Sequence, residues 1–161
     1  MNPEAASLRS ELEALLRFET LLAEVSSRFI ILPAERIDRA IDDALREVCE
    51  HLDLDGSALW EAQDSDWGSM LLTHIHRPVG GPAIPLSISA AREFPWCLSE
   101  VRSGGTIVVS SIETEVPRHA VVDREGFRRY GVKSVLDIPL SSVPDEPFGV
   151  LTFFTVQAER L

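Results

Sequence analysis

Gly131-Val132-Lys133-Ser134-Val135-Leu136-Asp137-Ile138-Pro139-Leu140, followed by Phe148-Gly149-Val150-Leu151-Thr152-Phe153-Phe154, is the stretch that decides the architecture. Both segments alternate with a period of two, as strands do. A turn carrying Pro144, Asp145 and Pro147 lies between them. Ser134, Leu136, Ile138 and Leu140 share one face, and Val135 and Pro139 share the other. Likewise Phe148, Val150 and Phe154 oppose Leu151 and Phe153. Both faces are largely apolar, so this antiparallel pair has to be covered on two sides rather than left half in water.

Upstream of that pair, residues 57–62 and 69–76 also read with period two and predict a hairpin across the polar stretch 63–68. Residues 77–85 hold three prolines and two glycines and predict a loop, with a short edge strand through 84–88. Residues 94–103 predict a short helix with Pro95 in its first turn, ended by Gly104 and Gly105. A strand is expected at 106–110 and a further helical stretch at 117–130, closed by Gly131.

The first third of the chain is helical in pattern. Leu8, Leu15, Leu22 and Phe29 recur every seven residues, with Phe18 and Val25 at the matching fourth positions. Leu12, Leu16 and Leu21 widen the stripe, so the helix has two surfaces to bury, its own domain and a second chain. Leu8, Leu15, Phe18, Leu22 and Val25 are the expected homodimer contacts. Pro33 restarts the chain, and Ile37, Ile41, Ala44, Val48 and Leu52 define a second amphipathic helix that Gly56 follows. The domain reading is a helix over 1–26 and a compact domain over 27–161. The fold class is α+β, an antiparallel sheet of five or six strands between helical layers.

Composition narrows the partners. Among 161 residues the net charge is −11, which disfavours nucleic acid and anionic membrane surfaces because both select for Lys and Arg. Residues 1–66 carry 16 acidic and 6 basic side chains and the remainder 10 and 9, so the acidity belongs to solvated helix faces. Hydrophobic residues at 45% and charged residues at 25% place the chain among ordinary globular domains. Cys49 and Cys97 are too few and too far apart for a disulfide framework or a zinc motif. There is no basic-then-apolar leader pattern, and a cytoplasmic location is expected.

The order of elements resembles a GAF domain, a small-molecule sensory module, over roughly 18–156. The resemblance rests on the two strands quoted first, one ending in Pro139-Leu140 and the other built on Gly149-Val150-Leu151. Ser27-Arg28-Phe29, Leu32-Pro33-Ala34, Phe94-Pro95-Trp96 and Asp123-Arg124-Glu125 are similar to a bacterial subgroup placed ahead of histidine kinases and enhancer-binding transcription activators. The resemblance implies a three-layer fold and a downstream output domain. It also implies a closing helix that Ala158-Glu159-Arg160-Leu161 would begin, so the chain is expected to be part of a longer protein.

No catalytic motif appears: there is no Gly-x-Ser-x-Gly elbow, phosphate loop or His-Glu-x-x-His pattern, and a non-enzymatic role is expected. His74 and His76 point to one face of a strand, without a third metal ligand nearby in sequence. Some relatives reduce free methionine sulfoxide with clustered cysteines, which two distant cysteines do not supply. Bilin-binding relatives attach pigment through a cysteine in the neighbourhood of Cys97, commonly with a histidine beside it, where Leu98 stands here. Cyclic-nucleotide-binding relatives carry an Asn-Lys…Phe…Asp-Glu signature that is not reproduced. No cofactor is required; bilin, cyclic nucleotide and haem are disfavoured.

What remains is a pocket between the sheet and the short helices. Its expected wall is Trp96, Cys97, Val101, Val108, Phe127, Tyr130, Leu136 and Ile138, with His119, Arg128 and Ser134 as polar members. Such a lining suits a small organic ligand. A filled core serving only as a dimerisation module is the competing reading.

Overall fold

The computed structural model describes residues 3–65, 67–143 and 146–160. The turn expected at Pro144 and Asp145 lies outside the described residues. Helix α1 (Pro3–Ile30) leads through a 3-10 turn (Ala34–Arg36) into α2 (Ile37–Leu52). Strands β1 (Gly56–Ala62) and β2 (Met70–His76) form the hairpin, and the edge strand shrinks to β3 (Ser87–Ile88). Then come α3 (Ala90–Glu93), α4 (Pro95–Arg102), β4 (Ile107–Val109), α5 (Ile112–Glu115) and α6 (Val121–Arg129). The long strands β5 (Ser134–Val143) and β6 (Glu146–Thr155) complete the chain's order of elements. Among the described residues the sheet is six-stranded, in the order β3-β2-β1-β6-β5-β4, with every neighbouring pair antiparallel.

The division expected at residue 26 falls inside α1, which runs unbroken to Ile30. Phe18, Leu21, Val25 and Arg28 are the half-buried positions of α1. Phe18 lies against the His51 ring of α2, with centroids 6.0 Å apart. Arg28 grips both carboxylate oxygens of Glu47, so a charge pair ties the two helices together. Phe18 and Val25 therefore pack inside their own chain, whereas Leu8, Leu15 and Leu22 remain exposed on α1.

Helix α2 ends at Asp53, which takes the left-handed conformation (φ 55°), and Leu54 donates back to the Cys49 carbonyl at 2.9 Å. That closure turns the chain into the centre of the sheet. The helix expected over 117–130 starts only at Val121. Residues 117–120 form a turn instead, in which the Ala120 N–H donates to the Pro117 carbonyl at 2.9 Å, because proline cannot continue a helical ladder.

Register sets the two faces. Val135 pairs with Phe154, Asp137 with Thr152 and Pro139 with Val150. Ala58 and Trp60 of β1 lie across from Thr152 and Val150 on that same face. Helices α4 and α6 cover this side. The other face carries Leu136, Ile138, Leu151 and Phe153, and α2 packs there over β1 and β2. Ser57 donates to the Leu45 carbonyl of α2 at 3.4 Å. The cover of this second face centres on the β1–β2 half, and Val108 on β4 stays 61% exposed.

The short helices are held by a buried carboxylate. Asp123 of α6 is fully buried and accepts the backbone N–H groups of Trp96 (3.2 Å) and Cys97 (2.9 Å) in the first turn of α4. These N–H groups have no intrahelical partner, and Phe94 before them offers no capping side chain. A carboxylate at the positive end of a helix is also favoured by the dipole. Gly126 lets α6 close on α4, since a Cβ there would stand 2.7 Å from the Phe94 ring.

Candidate functional site

A cavity of about 110 Å³ lies between the sheet and the layer of short helices. Its floor is the inward set of the strands: Trp60 from β1, Val135 and Asp137 from β5, and Val150, Thr152 and Phe154 from β6. Its roof is Phe94, Cys97 and Val101 around α4, with Phe127 and Tyr130 from α6 and its end. Trp67 and Met70 close one side. The strands contribute every second residue, so the alternation read at the outset decides the floor.

Among the described residues, Asp137 is the one carboxylate in an otherwise mostly apolar lining. It is 7% exposed, and its Oδ1 accepts the Thr152 hydroxyl at 2.6 Å. Burial pushes its pKa up to about 6 from the usual 3.8, and the Thr152 hydrogen bond pulls in the opposite direction. No Lys, Arg or His among the described residues lines the cavity. Burial also pushes the Cys97 thiol well up, reinforced by the negative charges of Asp137 and Asp123. A thiol in that setting stays protonated and unreactive. The Tyr130 hydroxyl donates to Glu93 Oε2 at 2.7 Å, and burial followed by that bond raises its pKa.

Of the residues picked out in sequence, Cys97, Val101, Phe127 and Tyr130 line this cavity. Trp96 packs against the surrounding core without lining it. Val108, Leu136 and Ile138 are corrected to the opposite face, because their parity on the strands is that of Phe153 and Leu151. Ser134 is buried in a structural role: its hydroxyl donates to the Ser110 carbonyl at 2.7 Å and accepts the Arg160 N–H at 2.8 Å. His119 is exposed in the turn before α6. Arg128, also exposed, is paired with Glu113.

His74 and His76 share the α2 face, where His74 Nε2 lies 3.7 Å from Asp38 Oδ1. No group of three metal-ligating side chains occurs among the described residues. Sequence reasoning missed Trp60, Trp67, Met70, Asp137 and Thr152 in the cavity wall. The available signal was Asp137 itself, a charged residue with the parity of Val135 in an apolar strand.

A family model for the GAF domain matches residues 36–159. No curated protein matches the chain. Among solved structures, the phycoerythrobilin-bound GAF domain from a cyanobacterial phytochrome superposes with a TM-score of 0.70 at 16% identity, covering 91% of this chain and 85% of that one. The phycocyanobilin-bound GAF domain from a cyanobacterial phytochrome gives 0.69 at 18% identity, covering 89% and 82%. The GAF domain region of a Geobacter sulfurreducens protein gives 0.60 at 20% identity, covering 86% and 84%. At these identities the likeness is one of fold. It nevertheless corrects the ligand expectation: bilin does not belong among the disfavoured molecules, because structural relatives carry phycoerythrobilin and phycocyanobilin on this fold. No helix among the described residues is long and apolar enough to cross a membrane.

Proposed function

The chain belongs to the GAF domain family, and from that membership we propose that it senses a small organic molecule held in the cavity and relays occupancy through its helices to an output domain. The observation that carries this reading is the cavity itself: space left open beneath α4, walled by aromatic side chains, with one buried carboxylate among its described lining residues. Apolar walls with a few placed polar groups are what small-molecule sites are made of.

The relay is a population shift. A ligand that favours one placement of α4 and α6 biases the sheet, the sheet carries α2 on its far face, and α2 carries α1. Exposed Leu8, Leu15 and Leu22 on α1 supply the seam for a second copy. The setting we favour is a cytoplasmic sensor histidine kinase; an enhancer-binding transcription activator is the alternative. A native mass spectrum beside a denatured one tests the reading. Extra mass on a native dimer supports it, whereas a dimer that gains no mass from any small-molecule panel leaves a ligand-free dimerisation module.

The bilin-bound relatives favour a second reading, in which α4 and α6 move off the sheet and a bilin, too large for the closed cavity, enters between them and the strands. Incubation with biliverdin and with phycocyanobilin tests it. A visible absorption band that co-purifies with the chain supports it, and a chain that stays colourless after both incubations overturns it.

A further inference from the structure

We propose that the cavity takes a small organic cation, an amine with a compact apolar body, whose nitrogen sits against Asp137. This deepens the first reading of the site and rests on it. The charge on the cavity floor is out of balance. Asp137 is buried on the floor of an apolar cavity, and the Thr152 hydroxyl is the one donor it meets among the described residues. The Asp137 side chain lines the cavity, and the Thr152 bond is made to Oδ1 alone. A buried carboxylate without a counter-charge is costly, and the cost is removed by a cation brought to it. The chain supplies none: no Lys, Arg or His among the described residues lines the space.

The walls suit the same ligand. Trp60, Trp67, Phe94, Phe127 and Tyr130 surround the cavity, and aromatic faces attract ammonium groups as well as hydrocarbon. Size limits the body. An apolar cavity of roughly 150 Å³ holds benzene, so a space of about 110 Å³ takes a ligand of roughly five or six non-hydrogen atoms. An anion is excluded by Asp137 at neutral pH, and a neutral molecule of the same shape leaves that carboxylate without a counter-charge.

The proposal carries a pH signature. Besides Asp137, the titratable groups facing the space are the Cys97 thiol from α4 and the Tyr130 hydroxyl at the end of α6, both held neutral. Asp123 of α6 is occupied by the α4 backbone N–H groups. The β1, β4 and β6 residues in register with Asp137 (Ala58, Ile107 and Thr152) carry no charge. An aliphatic amine stays protonated from acid to mildly alkaline pH, so its affinity follows Asp137 alone and falls as pH drops through about 6.

The experiment is calorimetric titration of the whole chain with three probes of one carbon skeleton: isopentylamine, isopentyl alcohol and isovalerate. The expected result is amine binding at least roughly tenfold tighter than alcohol at neutral pH. Isovalerate should not bind, and the amine should weaken by roughly tenfold at about pH 5. In Asp137→Asn, which keeps the shape and the Thr152 bond, amine and alcohol should bind alike. Equal binding of amine and alcohol to the unmodified chain overturns the proposal while leaving the cavity a ligand site. Binding of isovalerate overturns it as well. Binding of none of the three overturns it too; if native mass spectra are also free of added mass, the ligand-sensing reading falls with it.

Discussion

Val108 and Val109 are neighbours on one strand, yet Val108 is 61% exposed and Val109 3% exposed. They belong to the two faces of the same sheet. On the face of Val109, four short helices and their connections close over the strands around a cavity with a carboxylate on its floor. On the face of Val108, α2 lies over β1 and β2 and α1 lies over α2, so much of the cover is helix on helix. The apolar alternation is equally strong on both faces. Pattern records which residues point together; the connection between strands decides what meets them.

That contrast can be tested from its strongest point downward. Asp123→Ala should be the most damaging single change on the cavity side, destabilising by about 3 kcal/mol in urea unfolding, because two helix N–H groups lose a buried charged acceptor. Next come the two valines. Val109→Ser should cost about 2 kcal/mol and Val108→Ser less than about 0.5 kcal/mol, a difference read from paired denaturation midpoints. Equal costs would mean that the Val108 face is covered in solution, for example by a second copy.

The third test uses pH. The Asp137 carboxyl has a folded pKa of about 6 against a usual 3.8, so the folded state holds the extra proton. Its contribution is therefore most favourable below the ordinary carboxylate range, is lost as pH rises toward 6 and is level above that. The loss amounts to about 3 kcal/mol at most. Asp137→Asn should flatten this slope and leave the protein more stable than the parent at neutral pH, measured as the difference between the two stability profiles. The smallest expected effect on folding is Leu15→Glu on α1. It should change monomer stability by less than about 0.5 kcal/mol while reducing the dimer fraction in sedimentation, which separates surface kept for a partner from surface kept for the fold.

The elements themselves were largely legible in the sequence. Period-two runs located β1, β2, β5 and β6, and period-seven leucines located α1. Two one-turn helices, α3 and α5, were not legible, because four residues cannot display a helical period. The cavity was half legible. Cys97, Val101, Phe127 and Tyr130 stood out because short helices had to bury something. Leu136 and Ile138 are expected in the wall from the sequence, while Val135 and Asp137, of the opposite parity on the same strand, form its floor.

What the sequence by itself determined was parity: Asp137 points with Val135 and against Leu136, whatever the rest of the chain does. What only the tertiary structure decided was which parity became the inside of a site. A strand with period two is symmetric between its faces when both are apolar, so nothing local distinguishes floor from roof. The distinction comes from the crossing of α4 and α6, fixed by Asp123 reaching back 27 residues to the N–H of Trp96. That long-range bond is what encloses Asp137 and turns an ordinary strand residue into a buried, solitary charge.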